Sequence, residues 1–174
     1  MRTTTLIRWG AIAAMLAGAL RAVASFIPWP AEGPGVGLEL FYMLIDILLL
    51  LGLPAIYARI HEKTGVLGFT GFLAAFIGTA SIIGPDGKIG AVDLYMAGSM
   101  LITIGLTMLA IACLRAGALG RLAPALWVVS TIVGVGGFAT GGPAVTFVIA
   151  GLTFGLAYAL AGAHVWNELR SERG

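Results

Sequence analysis

Between Leu122 and Ala163 the chain carries no charged residue over 42 positions, and the run is broken only by Thr140-Gly141-Gly142-Pro143. Crossing a hydrocarbon layer of about 30 Å takes a helix of about 20 apolar residues, so this stretch is long enough to cross twice. The Gly-Gly-Pro break is the turn that two such helices need. Composition extends the same solvent to the whole chain. Mean hydropathy is +1.01 and only 10% of residues are charged, against about a quarter in a soluble domain. With 174 residues, there is room for about six spans and little else.

The expected fold is therefore all-α, a six-helix transmembrane bundle forming a single domain over residues 1–174. Its spans run from about 9–29, 39–57, 66–83, 94–114, 122–139 and 144–163. The connectors Pro28 to Gly35, Gly84 to Lys88 and Thr140 to Pro143 are rich in Pro and Gly and fall on one side of the membrane. Arg59 to Gly65 and Arg115 to Arg121 fall on the other side, together with both termini. Arg2, Arg8, Arg59, Lys63, Arg115, Arg121, Arg170 and Arg173 lie on the terminus side, while Lys88 alone lies opposite and Arg21 is within the first span. Cations concentrate in cytoplasmic loops, so both termini are expected in the cytoplasm. Arg2, Arg8 and the small residues Ala22-Val23-Ala24 before Ser25 also imitate a cleavable leader, but Arg21 interrupts the approach and apolar character continues to Trp29.

A weak internal likeness suggests three helical hairpins. Tyr42-Met43 aligns with Tyr95-Met96, Gly52-Leu53 with Gly105-Leu106, and Gly155-Leu156 takes the same place in the last span; Ala13-Ala14 and Ala74-Ala75 match in the odd spans. Gly151 and Gly155, and Ala14 and Gly18, are small-residue pairs that let helices approach closely within the bundle. Pro54 is expected to kink the second span.

Several function classes drop out. A pI near 9 comes from a net charge of only +2, and the cations flank apolar segments instead of forming a stripe, so nucleic acid is not an expected partner. One cysteine, Cys113, excludes an internal disulfide. No zinc-protease, serine-hydrolase, paired-cysteine or phosphate-loop motif is present, and no metal or cofactor is expected. His61 and His164, both at the cytoplasmic boundary, are the sole haem-ligand pair on offer, and solvated interfacial histidines explain them more simply. Trp9, Trp29, Trp127 and Trp166 near span ends read as an interfacial belt.

Charges inside a span mark the candidate site, because each is costly unless paired or wet. Arg21 lies roughly 12 Å in from the outer end of the first span and Asp46 roughly 10 Å in from that of the second. An ion pair between them follows naturally. Glu39, Tyr42 and Asp46 share one helix face, with Ser25 one turn beyond Arg21. Asp93, Ser99 and Thr103 add polar groups from the fourth span. The binding candidates are thus Arg21, Asp46, Glu39, Tyr42 and Asp93. They form either a structural ion pair or an outward-opening polar pocket.

Leu6-Ile7-Arg8-Trp9-Gly10, Ala13 to Gly18, Asp46 to Gly52, Ile56 to Arg59 and Gly68 to Phe72 resemble a broad group of small bacterial membrane proteins of unknown function. That resemblance covers most of the first 80 residues and implies a bacterial plasma-membrane location. In length, span number and small residues on the first span, the chain is also similar to substrate-binding components of energy-coupling-factor transporters. That likeness implies a partner membrane subunit contacting Ala13, Ala17 and Gly18. The favoured reading is non-enzymatic binding of a lipid or small amphiphile, or an accessory-subunit role. The alternatives are a transporter component with an outward-facing pocket, and a lipid-modifying enzyme using Asp46 or Asp93 as acid or base.

Overall fold

The computed structural model describes residues 3–28, 30, 32–84 and 87–172. Arg2, Trp29, Ala31, Pro85, Asp86 and Arg173, used above for turns, belt and orientation, lie outside the described residues. Five helices occur among the described residues: α1 (Thr3–Ala24), α2 (Val36–Ser81), α3 (Leu94–Ala116), α4 (Leu122–Thr140) and α5 (Ala144–Ser171). All five are long and apolar enough to cross a membrane. A two-residue antiparallel ladder, β1 (Lys88–Ile89) with β2 (Val92–Asp93), closes the connection from α2 to α3.

The second and third expected spans share the single element α2, 46 residues long. It is not straight. Gly65 has φ 58° and ψ −155°, a combination essentially confined to glycine. Along a straight helix Tyr57 and Phe72 would stand about 22 Å apart, yet their rings stack at a centroid distance of 4.3 Å. The chain therefore doubles back at Gly65. Pro54 keeps helical dihedrals, and the reversal falls at Gly65, the last residue of the connector expected from Arg59 to Gly65.

Other boundaries shift as well. The first helix spans Thr3–Ala24 instead of 9–29, and α5 runs eight residues past its expected end at Ala163. The extension carries His164, Glu168 and Arg170 out of the uncharged region.

Small residues set the helix spacing, since close backbone approach is what gains packing energy in lipid. Gly52 faces Ala14 of α1, and Gly105 of α3 faces Ala75 in the second arm of α2. Gly155 and Gly151 on α5 lie against Gly18, Ala22 and Ser25 at the end of α1. The Gly-x-x-x-Gly pair is thus used inside the chain. The centre is filled by Ile45, Leu53, Ile56, Leu109, Trp127, Tyr158 and Val165, all fully buried. Interhelical hydrogen bonds join Thr107 to Thr131 at 2.8 Å, Ser130 Oγ to the Ala150 carbonyl at 2.8 Å, and the Tyr158 hydroxyl to the Leu49 carbonyl at 3.2 Å.

Candidate functional site

The five candidates fall into two groups in the structure. Arg21 is in the last turn of α1, about 5 Å from its end, because the helix stops at Ala24 and not at Trp29. Asp46 lies about 15 Å into α2, deeper than expected, since that helix begins at Val36. The guanidinium of Arg21 sits over the Tyr42 ring, 5.9 Å from its centroid, within range of a cation–π attraction. Tyr42 in turn donates its hydroxyl proton to the Ala24 carbonyl at 3.2 Å, one of the acceptors left over where α1 ends. Ser25 donates to the Arg21 carbonyl at 2.9 Å. These contacts tie the end of α1 to the first arm of α2.

The expected ion pair is absent: among the described residues no Arg21–Asp46 contact falls within 4.0 Å. The aromatic ring of Tyr42 takes the position over the guanidinium that the carboxylate was expected to hold. Glu39 is exposed in the first turn of α2, where an acidic group favours the positive end of the helix. Asp93 is exposed and caps α3, accepting a hydrogen bond from the Met96 amide at 3.0 Å. Arg21, Tyr42 and Asp46 are thus brought near one another, while Glu39 and Asp93 serve helix starts.

A second cluster gathers at the other end of the bundle. Arg59 of α2 donates through Nε to Glu168 at 3.3 Å and through a terminal nitrogen to Glu172, just past α5. His164 Nε2 lies 3.2 Å from the other oxygen of Glu168. His61 is engaged locally, with Nδ1 3.0 Å from the Ala58 carbonyl and Nε2 3.9 Å from Glu62. Arg8 of α1 lies over the Trp166 ring at 5.4 Å. Each histidine therefore has a carboxylate neighbour of its own. Arg59–Glu168 was missed in the sequence because 109 positions separate the partners and a helical end at Ala163 leaves Glu168 without a defined direction.

Two shallow clefts flank this end. One, of about 260 Å³, is lined by Arg59, His61, Glu62, Lys63 and Glu168 among others. The other, of about 350 Å³, lies between α2 and α3 and is lined in part by Lys63, Val66, Leu67, Ala112 and Arg115.

Two expectations meet different surroundings. Trp127, read as part of an interfacial belt, is 1% exposed and packs edge-on against Tyr158, with ring centroids 5.6 Å apart. Its indole N–H has no hydrogen-bond partner among the described residues. Trp9 by contrast is 63% exposed. Ala13, Ala17 and Gly18, the face implied for a partner subunit, are buried, and Gly18 meets Ala159 and Gly155 of α5. No family model, no curated protein and no solved structure matches the chain, so its function rests on this geometry alone.

Proposed function

We propose that the chain is a six-crossing plasma-membrane protein of bacterial type, with both termini cytoplasmic, that acts without catalysis as a lipid- or amphiphile-binding protein or accessory subunit. The observation that carries this reading is the close-packed apolar centre, in which glycine–alanine contacts and large buried side chains occupy the space between helices. A membrane enzyme or a conducting carrier would need polar groups converging there. The reversal at Gly65 supports six crossings, because each arm of α2 packs on its own neighbour, α1 through Gly52 and α3 through Gly71 and Gly78. The matched contacts Gly52–Ala14 and Gly105–Ala75 support a repeated hairpin for the first two pairs. The third departs from it, since Gly155 packs on α1 and not on α4.

Purification from native membranes in mild detergent, with mass spectrometry of what co-elutes, tests the proposal. A stoichiometric lipid or a protein partner is the expected result. Turnover of an added lipid by the pure protein would overturn it.

A second reading is favoured by one observation. Asp46 sits deep in α2 and forms no ion pair among the described residues, and an intramembrane carboxylate without a direct counter-ion is a typical pathway residue. On this reading Arg21, Tyr42 and Asp46 form an outward-facing pocket of a transporter component. Asp46→Asn then abolishes uptake while leaving folded yield unchanged; unchanged uptake would remove this alternative.

A further inference from the structure

We infer that the cleft between the Gly65 turn and the end of α3 seats the headgroup of an anionic phospholipid, with Lys63 and Arg115 as its cationic contacts. The inference deepens the lipid-binding branch of the proposal above and rests on it.

The two clefts at this end differ in charge. In the smaller one the Arg59 guanidinium is already neutralised by Glu168 and Glu172, and Glu62 sets another carboxylate beside Lys63, which lines both clefts. In the larger one Lys63 and Arg115 approach from different helices, neither forms an ion pair among the described residues, and no acidic side chain lines the space. An anion is the complement of that arrangement.

What lies beside the cations selects the kind of anion. Val66, in the cleft wall, is 79% exposed, and it begins a face with Phe69, Leu73 and Ile77, all exposed. Their spacing of three, four and four residues keeps them on one side of the second arm of α2. Leu67, Ala112 and Ala116 complete the apolar floor. Cations therefore sit at the head of an apolar helix face that leads away along α2. A phospholipid supplies both halves of the match, a phosphate for Lys63 and Arg115 and alkyl chains for the Val66–Ile77 face. A soluble anion satisfies only the first half. Lys63 and Arg115 also occupy the helix ends where cations meet the lipid surface.

The test uses the full chain in mixed micelles of equal phosphatidylglycerol and phosphatidylcholine, read by native mass spectrometry of retained lipid. The wild-type protein is expected to retain phosphatidylglycerol in preference to phosphatidylcholine. Each cation near a membrane surface contributes about fivefold, so Lys63→Ala with Arg115→Ala lowers the preference about thirtyfold. Arg121→Ala with Arg170→Ala removes the same charge from exposed sites outside the cleft and lowers the preference clearly less, because those side chains do not line the seat of the headgroup. Lys63→Arg with Arg115→Lys also keeps it. Should the double alanine variant fail to fold, Lys63→Gln alone gives the reading, with a loss of about fivefold. Equal losses in the cleft and control variants, or no headgroup preference in the wild type, would overturn the site. Either result leaves the native-membrane experiment unaffected, so failure here is distinguishable from failure of the broader reading.

Discussion

Gly52 and Gly136 differ only in what surrounds them, and the difference sets the effect of adding one methyl group. A Cβ at Gly52 would stand 2.7 to 2.9 Å from the Cβ and backbone of Ala14, whereas a Cβ at Gly136 meets nothing within 4 Å. Gly52→Ala is therefore expected to lower stability by about 1–3 kcal/mol through overpacking. Gly136→Ala should be neutral or slightly stabilising, because alanine is the better helix former. Thermal unfolding of the two variants in the same detergent makes the comparison, and equal shifts would count against the packing argument. Trp127 gives a second residue-scale expectation. Truncation to alanine opens a large cavity and should cost about 3–5 kcal/mol. Trp127→Phe should cost much less, since it keeps an aromatic ring beside Tyr158 and removes an indole N–H that lacks a partner among the described residues. The inward role of Trp127 is not legible in the sequence, where position near a span end suggests the lipid surface. Only the neighbouring helices show which side of α4 is covered.

Elements are shaped by backbone conformations that few residues accept. Gly65 and Gly117 both have positive φ, 58° and 65°, but ψ separates them: −155° at Gly65 and 22° at Gly117. The second is left-handed helical and tolerates asparagine; the first is not. Gly65→Asn is thus expected to cost about as much as Gly65→Ala, about 1–3 kcal/mol, while Gly117→Asn should cost well under 1 kcal/mol. Denaturant titration of the three variants decides this, and a mild Gly65→Asn would argue against a glycine-only turn. Leu119 also has positive φ, 60°, in a turn between Gly117 and Gly120, whose φ is positive as well, yet its side chain is buried. Burial holds that strain in place, which no turn rule predicts for leucine. At the same end Arg59 ties α2 to Glu168 and Glu172. The site is partly exposed, so Arg59→Ala should cost about 1 kcal/mol or less and lose its effect in high salt. A salt-independent loss measured in the same titration would point to packing of the arginine stem.

At the scale of the whole molecule, the reversal at Gly65 places the exposed residues Glu62 and Lys88 at opposite ends of the second arm of α2. Glu62→Cys should react with a membrane-impermeant thiol reagent only in inverted vesicles, and Lys88→Cys only in intact cells. Cys113 is fully buried and adds no background. Labelling of both from one side would exclude a crossing by the arm from 66 to 81. Helix and lipid preference were legible in the chain, because an uncharged run of 42 residues admits few other solutions once backbone groups must be satisfied inside hydrocarbon. The helix bounds of α3 and α4 and the start of α5 were legible to within a residue or two, because Gly and Pro end helices by local geometry, whereas both ends of α1 and the far end of α5 were not. The tertiary structure decided how the polar groups pair. Arg21 takes the ring of Tyr42, Arg59 takes two glutamates over a hundred residues away, and Asp93 caps its own helix. Those choices depend on where helices end and which faces meet, and a shift of one residue turns a side chain by about 100° around its helix. Hydrophobicity determines that a helix enters the membrane; contact between helices determines what its few charges do there.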